Sequence, residues 1–204
     1  MTAVEHHTLR GQLAYLISAV ASPFVIFPLL VIGATWGVAA SPSEFLAWAG
    51  VLLLTTGVIP ACYILWGVRA GRITDIHIMV REQRAIVFLV FLVSAAAGLA
   101  LLWLLEAPRT IFLLALIAFG NGLLAALITL FWKVSIHAWV YAGAAASFAL
   151  LADAPWGWWL LLGLPLVIWA RTHRQRHTIA QGVGGGLLGL GLTYLLYLII
   201  FSSR

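Results

Sequence analysis

The chain has 204 residues, of which 64% are hydrophobic and only 8% charged, with a formal net charge of +5. A water-soluble domain of this size needs far more polar surface, so a soluble enzyme or binding module is excluded. Nucleic acid is not the expected partner either. The cations collect at the ends of long apolar runs, where they meet anionic headgroups or an anionic substrate.

In chain order, uncharged windows run over 11–43, 45–68, 85–105, 110–132, 134–152, 154–170 and 178–203. Each is about long enough to cross ~30 Å of hydrocarbon at ~1.5 Å per residue. They predict an all-α integral membrane protein. A single domain over 1–204 would hold about seven transmembrane helices, near 11–39, 45–68, 85–105, 110–132, 136–152, 155–170 and 178–201. Val38-Ala39-Ala40 faintly resembles a signal cleavage site, but the apolar stretch before it is too long for a signal h-region, so an uncleaved helix is expected. Cys62 is the only cysteine, so no disulfide can form within the chain.

The ten tryptophans group near expected helix ends, where an indole ring sits half dry with its N–H partnered. Trp66, Trp132, Trp139 and Trp169 mark one side. Trp36, Trp48, Trp103, Trp156, Trp158 and Trp159 mark the other. The first side also holds Arg10, Arg69, Arg72, Arg81, Arg84, Lys133, Arg171, Arg174 and Arg176, against Arg109 and Arg204 on the second. That bias predicts a cytoplasmic basic side and N-terminus, with the C-terminus outside.

The basic side carries three polar clusters, 75-DIHIMVREQRA-85, 132-WKVSIHA-138 and 170-ARTHRQRHTIAQG-182. Two helices separate each from the next, so all three return to one face. Arg84 and Arg171, with Arg81 and Lys133, are fixed cations, and guanidinium forks match phosphate oxygens. Ser135 adds a hydroxyl donor. His137 and His177 can move protons near neutral pH. Together they suggest phosphoryl transfer on a lipid phosphate. Arg69, Arg72, Arg174 and Arg176 read as arginines reaching to headgroups, and His6, His7 and His173 as solvated. Asp75, His77 and Glu82 match no strong metal-ligand spacing. Asn121 reads as interhelical glue, and Gly182, Gly185, Gly186 and Gly189 as a packing stripe on the last helix.

The three clusters resemble the signatures of the type 2 phosphatidic acid phosphatase superfamily, in the form of a divergent branch among prokaryotic integral membrane proteins. Arg84 falls on the arginine of the first signature, with His77 where a lysine is expected. Ser135 and His137 match the serine and histidine of the second. Arg171, five residues, then His177 match the third, with Gln181 where an aspartate is expected. The resemblance runs from about residue 69 to the C-terminus. It implies a six-helix core, His177 as nucleophile, His137 as general acid and base, and Gln181 orienting His177. Arg84, Arg171 and Ser135, helped by His77, Lys133 and Arg81, would bind phosphate. No metal or other cofactor is needed. The substrate would be an isoprenoid or glycerolipid phosphate in a prokaryotic inner membrane, with membrane lipids as the surroundings and the oligomeric state open.

Four departures from the signatures matter. His77 removes a permanent cation. Val134 and Ile136 replace a proline and a glycine, which predicts a more helical backbone around Ser135. Gln181 can fix a histidine tautomer but cannot offset an imidazolium charge, which predicts a slower enzyme. Two helices separate the first two signatures where a loop is usual. A prenyltransferase, or an aspartate-rich alcohol phosphotransferase, would need paired aspartates. This chain has only Asp75 and Asp153, on opposite sides. A phosphotransferase using the same histidine, or an inactive binding subunit, remains as an alternative.

Overall fold

The computed structural model describes residues 8–76, 78, 80–152 and 154–202; the side chains of 81, 201 and 202 also lie outside the description. Every element among the described residues is helical. The protein is an all-α membrane protein.

Helix α1 (Leu9–Val20) begins at Thr8, whose hydroxyl accepts from the Gly11 amide at 3.1 Å. Helix α2 (Pro23–Trp36) begins at the Ser22 cap with Pro23 in its first turn. The two meet at 43°. The single helix expected over 11–39 is therefore two. Pro23 has no N–H to donate back into α1, and its fixed φ suits the start of a new helix.

Helices α3 (Pro42–Leu53) and α4 (Ile59–Arg69) join through a π-helical turn at Leu54–Val58 into one 28-residue apolar unit. Pro60 lies just past the turn and cannot donate, which leaves the ladder loose there. Ser94 on α5 (Arg84–Leu104) donates to the Thr55 carbonyl within that turn at 2.5 Å. Helix α6 (Arg109–Thr129) follows, then α7 (Ile136–Leu151). The expected helix over 155–170 is a tight 3-10 helix at Pro155–Gly163 followed by α8 (Leu164–His173). Gly157 lies against the Ala149 backbone and Gly163 against the Tyr141 hydroxyl, so both positions need a residue without a side chain. Helix α9 (Ile179–Ser202) closes the chain.

Four helical units are long and apolar enough to cross a membrane: Pro42–Arg69, Arg84–Leu104, Arg109–Thr129 and Ile179–Ile200. The bent α1–α2 pair makes a fifth if it is one span. The α7 segment is shorter, and 155–173 is broken, so these two expected spans do not meet the same measure.

Helix α7 sits in the middle, packed on α9, α2, α8 and the 3-10 helix. Its buried face is nearly all small, with Ala142, Gly143, Ala145, Ala146 and Ala149. Opposite them a Cβ on Gly185 would lie 2.5 Å from the Ser135 carbonyl oxygen, and one on Gly189 would overlap the Trp139 carbonyl. The glycine stripe is a packing seam inside the bundle, as expected, because backbones this close leave no room for side chains. Asn121 joins three helices. Its amide donates to Ile117 O on α6 and Thr193 Oγ1 on α9, and its oxygen accepts from Trp139 Nε1 on α7 at 2.8 Å. Trp139 is thus a core residue, 2% exposed, and not an interfacial one. Trp48 is likewise buried among α2, α3 and α6, while the other eight tryptophans are open.

Candidate active site

The spacing from Arg171 to Gln181 has a local explanation. Helix α8 ends in a Schellman turn: Arg176 N–H donates to Arg171 O at 3.0 Å and Gln175 N–H to Thr172 O at 2.9 Å. Gln175 takes the left-handed conformation (φ 53°) that such a turn requires. Two residues later α9 starts in a capping box. Thr178 Oγ1 accepts from the Gln181 amide at 3.2 Å, and Gln181 Oε1 accepts from the Thr178 amide at 3.2 Å. Between turn and box sits His177, whose own amide leans on Arg171 O at 3.4 Å. Five residues between Arg171 and His177 are the length of one helix stop, and three between His177 and Gln181 are the length of one helix start.

This geometry selects a tautomer. An amide N–H can only donate, so the atom of Gln181 facing Thr178 is the oxygen. The same Oε1 lies 3.1 Å from His177 Nδ1. Nδ1 therefore carries the hydrogen, and Nε2 keeps the lone pair. Burial and then the Arg171 charge push the imidazole down to about 4, with Arg84 and Lys133 acting the same way against the Gln181 hydrogen bond. At neutral pH His177 is an uncharged base with a free Nε2.

Arg84 opens α5 and is buried. Its Nε donates to Ile78 O at 2.9 Å and its Nη1 to Val134 O at 3.4 Å. The guanidinium thus ties the first cluster to the second. It also holds Ile78 at φ 48°, a conformation that a β-branched residue seldom takes. Residues 132–135 are not helical. Ser135 has ψ 102° and forms the cap of α7, so the more helical backbone expected here is not what forms. The Ser135 amide donates to Gln181 O at 3.1 Å, which fixes the second cluster to the third. Its hydroxyl, fully buried, makes no hydrogen bond among the described residues.

A cavity of about 730 Å³ opens beside these groups, with Lys133, Arg176, His177, Thr178 and Gln181 in its wall. Lys133 is held below the usual lysine range by burial and by the charges of Arg84, Arg176 and Arg171, with Asp75 opposing. Arg84, Ser135, His137 and Arg171 are buried and are not in that wall. An apolar groove of about 560 Å³ between α8 and α9 shares Thr172 and Ile179 with the cavity, and Ile168, Trp169 and Val183 form part of its sides.

Arg84, Lys133, Ser135, Arg171, His177 and Gln181 thus come together at one end of the bundle. His137 is buried in the first turn of α7, two residues from Ser135. His77 and the Arg81 side chain lie outside the described residues, as do His6, His7 and Asp153. Among the described residues no three His, Cys, Asp or Glu side chains gather.

Arg174, expected to reach to headgroups, is buried against α1, and His173, expected to be solvated, is half-buried and stacks on Trp169 at 5.4 Å. Thr178 and Ser18 were not legible as site residues. The Thr-Ile-Ala-Gln string carried the signal for Thr178 as a capping box, while nothing local marked Ser18. Comparison of the chain with protein-family models, with curated proteins and with solved structures finds no match to any of them.

Proposed function

We propose that this chain is a membrane lipid-phosphate phosphatase working through a phosphohistidine. The observation that carries the reading is a neutral histidine with its Nε2 left free, held at the wall of a cavity and surrounded by Arg84, Lys133, Arg171 and Arg176. In the first step His177 Nε2 attacks phosphorus and the bond to the leaving alkoxide breaks. His137 gives that alkoxide its proton. In the second, water attacks phosphorus, His137 takes the proton, the P–N bond breaks and orthophosphate leaves. By the resemblance Arg84, Arg171 and Ser135, which lie buried behind that wall, would hold the equatorial oxygens, where charge spreads in the transition state. The apolar groove next to the cavity supports a lipid over a soluble phosphate, because a hydrocarbon tail has a dry place to lie.

The topology that fits is seven spans with the basic side in the cytoplasm. A 3-10 helix rises ~2.0 Å per residue, so Pro155–Gly163 and α8 together reach about 33 Å, enough to cross despite the break. Helix α7 is enclosed by its neighbours and need not match the bilayer. The test is phosphate release by the detergent-purified protein, with chelator present, across phosphatidic acid, phosphatidylglycerol phosphate and isoprenyl phosphates. Release that disappears in His177→Ala supports the phosphatase. No release from any of them by the folded protein points to a phosphotransferase or a binding subunit.

A further inference from the structure

Arg171 lies in the last turn of α8 and Arg174 caps that helix. They are 2% and 8% exposed. Nη1 of each donates to the same atom, Ser18 Oγ on α1, at 2.8 and 3.0 Å. Ser18 is itself 1% exposed. One hydroxyl can accept from two cations, but it brings them no charge. The charges that bear on Arg171 are those of Arg174, Arg176 and Arg84, all positive. Arg174 meets the Arg176 charge and the Tyr15 ring, at 5.1 Å. A ring face offsets a small part of a buried charge. No carboxylate pairs with either arginine among the described residues, and the Nε of each is buried without an acceptor. Two buried guanidinium forks aimed at one oxygen are what a phosphate group receives in a built site. With no carboxylate beside them among the described residues, the two guanidinium charges repel each other in a low-dielectric place.

We propose that Arg171, Arg174 and Ser18 form an oxyanion site at the α1–α8 contact that takes a phosphate group, with α1 as its closing wall. This goes beyond the phosphatase reading. It adds Arg174 and α1, shares Arg171 with the candidate active site, and does not need His177 to react. The phosphate can come from water as the free ion or from a membrane lipid headgroup.

The experiment uses the full chain. Inorganic phosphate binding is measured by calorimetry in detergent at fixed ionic strength. The thermal midpoint is measured in nanodiscs of phosphatidylcholine with and without phosphatidic acid. Arg174→Gln should weaken phosphate binding about tenfold or more. Arg69→Gln, which removes a cation from the same face, should leave it unchanged. Ser18→Asp supplies the missing charge, so it should raise the thermal midpoint and compete phosphate away. Should free phosphate not bind while phosphatidic acid raises the midpoint of the wild type but not of Arg174→Gln, the source is the headgroup. Equal behaviour of Arg174→Gln and Arg69→Gln in both arms overturns the site. So does a Ser18→Asp protein that is less stable and binds phosphate as before. Absence of phosphatase activity would leave these outcomes untouched.

Discussion

The polar cluster around Asn121 and the one at the basic end of the bundle are built on opposite plans. Around Asn121, both amide hydrogens and the carbonyl oxygen are used, and the partners belong to α6, α7 and α9. At the basic end, Arg171 and Arg174 keep buried Nε donors without acceptors among the described residues, and so does the Ser135 hydroxyl. A closed network fixes how helices pack. Six of the eight buried side-chain polar atoms left without a hydrogen bond among the described residues belong to the second and third clusters, those of Ser135, Arg171, Thr172, His173 and Arg174 among them, and donors gathered in this way suit a ligand that is not protein.

The sharpest way to test this contrast is to cut each group once. His177→Ala should lower phosphate release by on the order of a thousandfold, since it removes the atom that takes the phosphoryl group, while the thermal midpoint barely moves. Activity that survives would remove the nucleophile and with it the functional half of the comparison. On the structural side, Gly189→Ala pushes a Cβ into the Trp139 carbonyl. Two backbones must then separate, at a cost on the order of 3 kcal/mol, to be read by thermal or denaturant unfolding in detergent. A well-tolerated alanine would mean that α7 and α9 are not in backbone contact.

Asn121→Ala is the milder cut. It strands the Trp139 N–H and the Thr193 hydroxyl and should cost about 2 kcal/mol. Phosphate release per folded molecule should stay as it was, because Asn121 lies along the bundle from the cations. A fall in specific activity without a fall in stability would join the two networks that the geometry keeps apart.

The same contrast explains what the sequence could reveal. The glycine stripe and Asn121 appear in the fold as read, and the second and third basic clusters meet at one end of the bundle with Arg84 of the first. The span at 155–170 looked continuous because hydropathy is blind to helix type, and only Pro155, Gly157, Gly163 and Pro165 hinted at a tighter winding. From sequence Trp139 looks interfacial, because its position near a helix end says nothing about a hydrogen bond to Asn121. From sequence Arg174 looks free to reach headgroups, because its partner, Ser18, lies 156 residues away. Local chemistry was legible where it closed on itself, as in the turn from Arg171 to Gln181. It was not legible where the partner was remote.

The smallest change tests the join between the two plans. Gln181 belongs to both, since its Oε1 caps α9 and orients His177. Gln181→Glu fills the same capping-box position, so stability should hold within about 0.5 kcal/mol. It adds a carboxylate beside Nδ1–H, which should raise the His177 pKa from about 4. The sign for the wild type follows from linkage. Unfolded His177 takes a proton near pH 6.5 and folded His177 near 4, so across that window the unfolded state holds more protons. Stability is full above the window and falls as pH drops through it. In Gln181→Glu the window should narrow from its acid end, and a histidine NMR titration would show the shift directly. The carboxylate also offsets the charge that forms when His177 takes the phosphoryl group, so single-turnover phosphoenzyme formation should speed up several-fold. A His177 titration that does not move would reduce Gln181 to a helix cap and leave the histidine's orientation without a cause.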